Sequence, residues 1–347
     1  MTKRTQTKKV KVGNVSIGGN NNVVIQSMTN TKTSDTTDTL KQIKQLYDAG
    51  CKLVRVAIVD NKDLLSLKTL VQKSLLPISA DIHFKDQYAI QAIKAGVAAI
   101  RINPGNLGGL NNFKKVITEA KKHHCAIRIG INTGSLPTSI KTNKQIIDLM
   151  KQYVSIAEKN NFKDLVLSIK SSDAKQNIQL NKLLSQNFKY PLHIGVTEAG
   201  PYNVSIVRST IGLLPLLESG IGDTIRISIT GNPIDEIHAT KTLLNEVGIK
   251  QDITKVISCP TCGRTSKNFN KLFTTLNSYI IAHPIKNKSV AIMGCYVNGI
   301  VEAKTHDLGI FASNNNFVII YNKKTIGTYN LVKAINTFIK CYKKLSK

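Results

Sequence analysis

From Val23 to about Lys250 the chain alternates short apolar runs with amphipathic stretches. The runs are VVIQSM, KLVRVAI, PISADIH, AAIRINPG, CAIRIGIN, DLVLSIKSS, PLHIGVTEAG and DTIRISITGNP, separated by helix-period segments such as SDTTDTLKQIKQLYDAG and KDQYAIQAIKAG. Eight strands, each followed by a helix, give the rhythm of a (β/α)8 TIM barrel. Asp35 is a predicted N-cap for the first helix, and Gly50, Gly96 and Gly220 stand where glycines close helices. A doubly wound open sheet is disfavoured because no G-x-G-x-x-G follows the first strand. After Thr254 the pattern changes. KVIS reads as a strand, Lys267 to Ala282 as a helix, KSVAIMGCYVNG as a strand ending at a cysteine, LGIFAS and FVIIYN as strands, and Leu331 to Lys344 as a closing helix. The expected fold class is therefore α/β, a barrel domain over residues 1–252 followed by a small α+β domain over 253–347.

Four barrel strands carry an arginine between β-branched residues: Arg55 in VRV, and Arg101, Arg128 and Arg226 each in IRI. Side chains alternate across a strand, so if the flanking Val and Ile meet the helices, each arginine faces the barrel axis. An unpaired buried guanidinium is prohibitively costly, so these groups belong near an open end and meet anions. The C-terminal mouth of such a barrel binds ligands, and His83, Asn103, Asn132, Lys170 and Glu198 also fall at or near strand ends. The bland alternative is a set of internal salt bridges to Asp81, Glu198 and Asp223, but the cations outnumber these acids. Guanidinium forks suit phosphate oxygens, so the barrel reads as a phosphate or diphosphate pocket.

Charge and cysteines sharpen this picture. The 48 Lys and Arg against 21 Asp and Glu leave +27, which suits nucleic acid, acidic proteins or phosphorylated substrates, or reflects compositional drift. With no Trp and few aromatics among scattered lysines, the stacking surface of a single-strand binder is missing. No run approaches the ~18 apolar residues of a membrane span, and the basic start MTKRTQTKKVKVG lacks an apolar signal core, so a cytoplasmic protein is expected. Six cysteines are too few for a disulfide scaffold. Cys259 and Cys262 form a C-x2-C pair, and Cys295 ends the next strand of the small domain. A zinc ribbon wants a second such pair, and a thioredoxin-like dithiol wants the pair opening a helix. Three thiolates leave one iron of an iron-sulfur cluster for another donor, and Glu302 is the nearest acid past Cys295. A zinc-stabilised nucleic-acid binder and a cofactor-free transferase acting on a diphosphate remain competing readings.

The stretches QSMTNT, ADIHF, RINPGN, RIGIN, TEAG, GIGDTIRIS, CPTCGR and MGCYVNG, in that order, make the chain resemble the (E)-4-hydroxy-3-methylbut-2-enyl diphosphate synthases of the methylerythritol phosphate route, in their compact bacterial form. The resemblance implies one 4Fe-4S cluster per subunit, held by Cys259, Cys262, Cys295 and Glu302. It implies a cyclodiphosphate pocket built from Arg55, Arg101, Arg128 and Lys170, with His83, Asn132 and Ser228, and a catalytic part for Glu198 and Glu302. It further implies reductive ring opening with two electrons from flavodoxin or ferredoxin, and a head-to-tail homodimer. One departure stands out. The family reads N-G-P-G-E-A after the third cysteine, whereas this chain reads NGIVEA. Replacing Pro-Gly by Ile300 and Val301 changes the backbone allowed before Glu302 and puts its reach to a cluster in doubt.

Overall fold

A computed structural model describes residues 4–83, 85–249 and 252–346. Residues 1–3 of the basic start, Phe84 of ADIHF, residues 250–251 at the expected boundary and the final Lys347 lie outside the described residues. The chain divides into two compact units, Met1–Ile249 and Lys250–Lys347.

The first unit opens with a hairpin of β1 (Val10–Val12) and β2 (Val15–Ile17). Eight parallel strands follow: β3 (Val24–Met28), β4 (Leu53–Ile58), β5 (Ile78–Ile82), β6 (Ala99–Ile102), β7 (Ala126–Asn132), β8 (Leu165–Lys170), β9 (His193–Ile194) and β10 (Thr224–Ile225). Their order is β8-β7-β6-β5-β4-β3-β10-β9, and a parallel bridge from Leu167 to Leu192 returns β9 to β8. Helices α1 (Thr36–Ala49), α2 (Asn61–Lys73), α3 (Asp86–Lys94), α4 (Leu110–Lys122), α5 (Asn143–Lys159), α6 (Ala174–Asn187), α7 (Tyr202–Glu218) and α8 (Pro233–Glu246) alternate with the strands. Asp35 caps α1 by accepting from the Asp38 amide, and Gly50 closes it in the left-handed region.

The alternation of each strand sorts its side chains. Outward residues such as Val54, Val56, Ile58, Ile100, Ile102, Ile127, Ile129 and Ile131 form one core with the helices. Inward residues at the strand starts, Val24, Leu53, Ala99, Ala126 and Val166, pack on Val10, Val12 and Ile17 of the hairpin. The hairpin thus seals the N-terminal end with apolar side chains and leaves the opposite end free for polar ones. Two runs that read as full strands are short in the ladder. Of PLHIGVTEAG only His193–Ile194 is strand, and of DTIRISITGNP only Thr224–Ile225. Thr197, Glu198, Arg226 and Ser228 consequently lie on the segments that leave the barrel at its C-terminal end.

The second unit is a five-stranded mixed sheet, β11 (Lys255–Ser258), β12 (Ser289–Met293), β13 (Leu308–Ser313), β14 (Asn316–Tyr321) and β15 (Lys324–Tyr329), in sequential order. The first three strands run parallel and the last two antiparallel. Helices α9 (Phe269–Ala282) and α11 (Leu331–Lys344) supply Leu272, Leu276, Ile280, Ala334 and Phe338 to its main core. Helix α10 (Tyr296–Thr305) packs through Ala303 on a separate cluster with Met293 and Phe311. The stretch after the third cysteine is therefore helical rather than a loop, with Ile300 and Val301 inside α10 and 42% and 63% exposed. Ile and Val carry no barrier to a helix here, whereas proline in its interior would cost about 3 kcal/mol. Gly299 lets α10 approach the sheet, since a Cβ there would stand 2.5 Å from the Cβ of Phe311.

Candidate active site

At the C-terminal end of the barrel the inward positions change from apolar to charged. Arg55, Asp81, His83, Arg101, Arg128, Gly130, Asn132, Ser168, Lys170, Thr197, Arg226 and Ser228 line a single depression. Strand register explains the convergence, because Asp81 is level with Arg101, Arg101 with Arg128, and Asn132 with Lys170 on neighbouring strands. Gly130 makes room for Arg101. A Cβ there would lie 2.8 Å from Nε of Arg101, and the Gly130 carbonyl instead accepts from Nη2 at 3.0 Å.

Five cations face two acids. Asp81 sits 3.3 Å from Nη1 of Arg101, 3.6 Å from Nε of Arg55 and 3.7 Å from Nε2 of His83. Glu236, from α8, takes Arg226 through both carboxylate oxygens at 2.9 and 2.7 Å. Arg128 donates to Oε1 of Gln26, while its Nε finds no partner among the described residues. Burial and four neighbouring guanidinia push the Lys170 ammonium well below its ordinary pKa. Burial also lowers Arg55 to about 10 against the pull of Asp81, and holds Arg128 well below its ordinary value, with its arginine neighbours adding to the effect. Burial alone would raise the Asp81 carboxyl, but Arg55, His83 and Arg101 hold it well below the usual carboxylate range. Beneath the depression, His193 is wholly buried and held neutral by burial. A crowd of like charges, with burial disfavouring the charged forms of Arg55, Arg128 and Lys170, suits an oxygen-rich anion that would offset their repulsion.

In the second unit, β11 and β12 are parallel neighbours, so the segments leaving their C-terminal ends start side by side, with Ser258 level with Ile292. One segment carries Cys259 and Cys262, the other Gly294 and Cys295. The Gly294 amide donates to Sγ of Cys259 at 3.1 Å, and the Ser266 amide donates to the Gly294 carbonyl at 3.0 Å. Cys262 lies on a turn whose Thr265 accepts the Cys262 amide at 2.8 Å. That turn opens no helix; Cys295, instead, is the N-cap of α10. Amides of Arg264 and Thr265 lower the pKa of the exposed Cys262 thiol. Glu302 lies on α10 with its side chain 40% exposed, 3.9 Å from Nδ1 of His306. Among the described residues no three Cys, His, Asp or Glu side chains stand close enough to share a metal ion. The donor chemistry is that of a thiolate-rich centre, three sulfurs and a carboxylate on adjoining segments, and it suits iron or zinc.

Of the residues singled out in the sequence, Arg55, Arg101, Arg128, Lys170, His83, Asn132 and Ser228 all line the depression. Glu198 is exposed on the segment between β9 and α7 with φ of 53°, and its neighbour Thr197 does the lining. Of the acids offered as internal partners, Asp81 pairs with the barrel arginines, whereas Asp223 is taken by Arg4 at 2.9 Å, Thr7 and the Leu192 amide. Gln26 and Glu236 were missed. Gln26 is a polar residue inside an apolar strand run, a visible signal; Glu236 gives none beyond its place in the first turn of α8.

Fold and site define a class, a (β/α)8 barrel with a cationic mouth suited to an anion, followed by an α+β unit that carries three cysteines on segments leaving neighbouring strands. Family models for the GcpE TIM-barrel domain and the GcpE protein C-terminal domain match residues 7–241 and 255–344, and the chain belongs to the GcpE family. It is 44% identical over 332 residues to a 4-hydroxy-3-methylbut-2-en-1-yl diphosphate synthase (flavodoxin) of Malacoplasma penetrans, covering 94% of this chain and 91% of that protein. The protein of the same name from Caldanaerobacter subterraneus is 41% identical over 350 residues, covering 99% and 98%. Among solved structures, dihydropteroate synthase of Yersinia pestis aligns with a TM-score of 0.50 at 12% identity, covering 69% of this chain and 98% of that one, a likeness of fold alone.

Proposed function

We propose that the chain reduces 2-C-methyl-D-erythritol 2,4-cyclodiphosphate to (E)-4-hydroxy-3-methylbut-2-enyl diphosphate, the product that the names of its relatives give for them. The observation that carries the reading is the set of four guanidinia and one ammonium converging on the barrel mouth with, among the described residues, Asp81 as the only acid in its lining. Arg55, Arg101, Arg128 and Lys170 hold the diphosphate, with His83, Asn132 and Ser228 orienting the rest of the substrate. Two electrons enter, the bond from C2 to the diphosphate opens, and the C3 hydroxyl departs, taking up a proton to leave as water. The cations stabilise the diphosphate as it takes on the charge of a leaving group. Glu198, exposed next to the lining residue Thr197, takes the catalytic part that the family resemblance implies for it. Cys259, Cys262, Cys295 and Glu302 would hold one 4Fe-4S cluster per subunit, which would supply the electrons in single steps.

Reduced flavodoxin is the electron donor this reading takes from its relatives' names, with the +27 balance favouring an acidic partner. The working unit is a head-to-tail homodimer in the cytoplasm. No helix among the described residues is long and apolar enough to cross a membrane. The test is anaerobic purification. The reading predicts a brown protein with about four irons and matching sulfide per chain, and a Cys295→Ser variant that loses cluster and turnover together. Zinc in place of iron, or turnover that survives Cys295→Ser, would overturn it.

A further inference from the structure

We infer that Glu236 is a positioning residue that aims Arg226 into the mouth, and that catalysis depends on it through that arginine alone. Glu236 is 2% exposed, on α8 and outside the depression it serves. Its Oε2 accepts Nε of Arg226 at 2.9 Å and Oγ of Ser27 at 2.7 Å, and its Oε1 accepts Nη2 of Arg226 at 2.7 Å and the Ile229 amide at 3.2 Å. Both oxygens are thus anchored from β3 and from the segment after β10, which leaves the carboxylate little freedom. The pairing is side-on. It occupies Nε and one edge of Nη2, and leaves Nη1 facing, among the described residues, only the Met28 thioether at 3.7 Å. Met28 also accepts from Nε of Arg55 at 3.0 Å, so an uncharged sulfur spaces two guanidinia at the rim. A thioether is a weak acceptor that an anionic oxygen readily displaces.

The energetic case points the same way. A buried ion pair stabilises a fold little compared with apolar residues of equal volume, so its value here lies in geometry. Arg226 stands one residue beyond the two-residue strand β10; its amide donates to the Ile194 carbonyl at 3.1 Å, but it lacks the two-sided pairing that fixes Arg101 and Arg128. A long side chain on such a segment would point at the anion only part of the time without a fixed partner. Glu236 also subtracts charge from the mouth, so removing it strengthens the attraction for an anion while loosening its orientation. That opposition gives a signature, a fall in kcat without a matching rise in KM.

The inference rests on the mouth being the cyclodiphosphate site, and the experiment separates the two. Glu236→Gln, Arg226→Lys and the double variant are compared with wild type in turnover, in thermal melting and in binding of inorganic diphosphate by calorimetry. Glu236→Gln should lower kcat by about 10- to 100-fold, with KM within about threefold of wild type and diphosphate still bound. The double variant should be no slower than Arg226→Lys, since a residue acting only through Arg226 has nothing left to act on. If Glu236→Gln fails to melt cooperatively, Ser27→Ala, which removes one anchor and keeps the ion pair, should show a smaller loss that likewise vanishes on the Arg226→Lys background. Losses that multiply in the double variant, or a Glu236→Gln enzyme at wild-type rate, overturn the inference while leaving the site reading intact. A wild type that neither binds inorganic diphosphate nor turns over overturns the site reading and the inference with it.

Discussion

Among the described residues Asp81 is the single carboxylate lining a mouth that holds five cations, and Asp81→Asn is the most informative perturbation of it. The asparagine keeps the shape and removes the charge that stands 3.3 Å from Arg101 and 3.6 Å from Arg55. At an effective dielectric near 20 a contact of that length is worth about 4 to 5 kcal/mol before desolvation. Breaking a buried pair costs roughly 3–5 kcal/mol, because the partner is left charged and dry. For a unit the size of the barrel each kcal/mol moves the melting point by about 2–4 °C, so a fall on the order of 10 °C is expected in differential scanning fluorimetry at neutral pH. Inorganic diphosphate should restore more of the loss in Asp81→Asn than it adds to wild type, since the anion replaces the missing charge. The pH dependence has a definite sign. The Asp81 carboxyl is held well below its ordinary range in the fold, so its contribution is present above about pH 4 and drains as pH falls. The gap between wild type and variant should therefore narrow in acid. A variant that melts within about 1 °C of wild type at neutral pH, or whose gap is flat down to acid, would refute the claim that Asp81 neutralises this cluster.

Lys170 is depressed by burial and by its arginine neighbours, and a bound anion reverses that balance. Binding of inorganic diphosphate should raise the Lys170 pKa, read as proton uptake on binding over the pH range in which free Lys170 titrates, through a dependence of calorimetric heat on buffer ionisation enthalpy that Lys170→Met lacks; an unchanged proton count in the variant would refute it. Flavodoxin-driven turnover should slow as salt rises, because screening shortens the reach of the +27 charge to about 8 Å at physiological ionic strength. Insensitivity to ionic strength would dismiss charge steering.

The inward arginines were legible because strand alternation has only two faces, and Ile-Arg-Ile leaves the arginine one side to occupy. Lys170 and Asn132 followed from their places at strand ends. The partners of these groups were not legible, because pairing across elements depends on how a helix seats on the barrel. Asp223 lies two residues before Ile225 yet turns to Arg4 and the Leu192 amide, while Glu236 reaches Arg226 from α8. The hairpin that plugs the barrel was within reach of the sequence. Val-Lys-Val and Val-Ser-Ile alternate around Gly13-Asn14, a two-residue turn pair, and Gly13 adopts φ of 59°. The helix through NGIVEA was not legible, because the family's Pro-Gly at that place drew attention to the backbone before Glu302 rather than to its helical continuation. In this chain Ile and Val continue α10, so the placement of Glu302 follows from helix packing on Phe311 rather than from loop strain.

The most direct test of the central claim is product formation. The anaerobically prepared full-length protein, with iron and sulfide bound, is given 2-C-methyl-D-erythritol 2,4-cyclodiphosphate and reduced flavodoxin, and the products are followed by phosphorus NMR. The account predicts that the two cyclic phosphorus signals give way to those of the linear allylic diphosphate, at a rate that falls with Asp81→Asn and vanishes with Cys295→Ser. A fully loaded protein that leaves the cyclodiphosphate unchanged would contradict it.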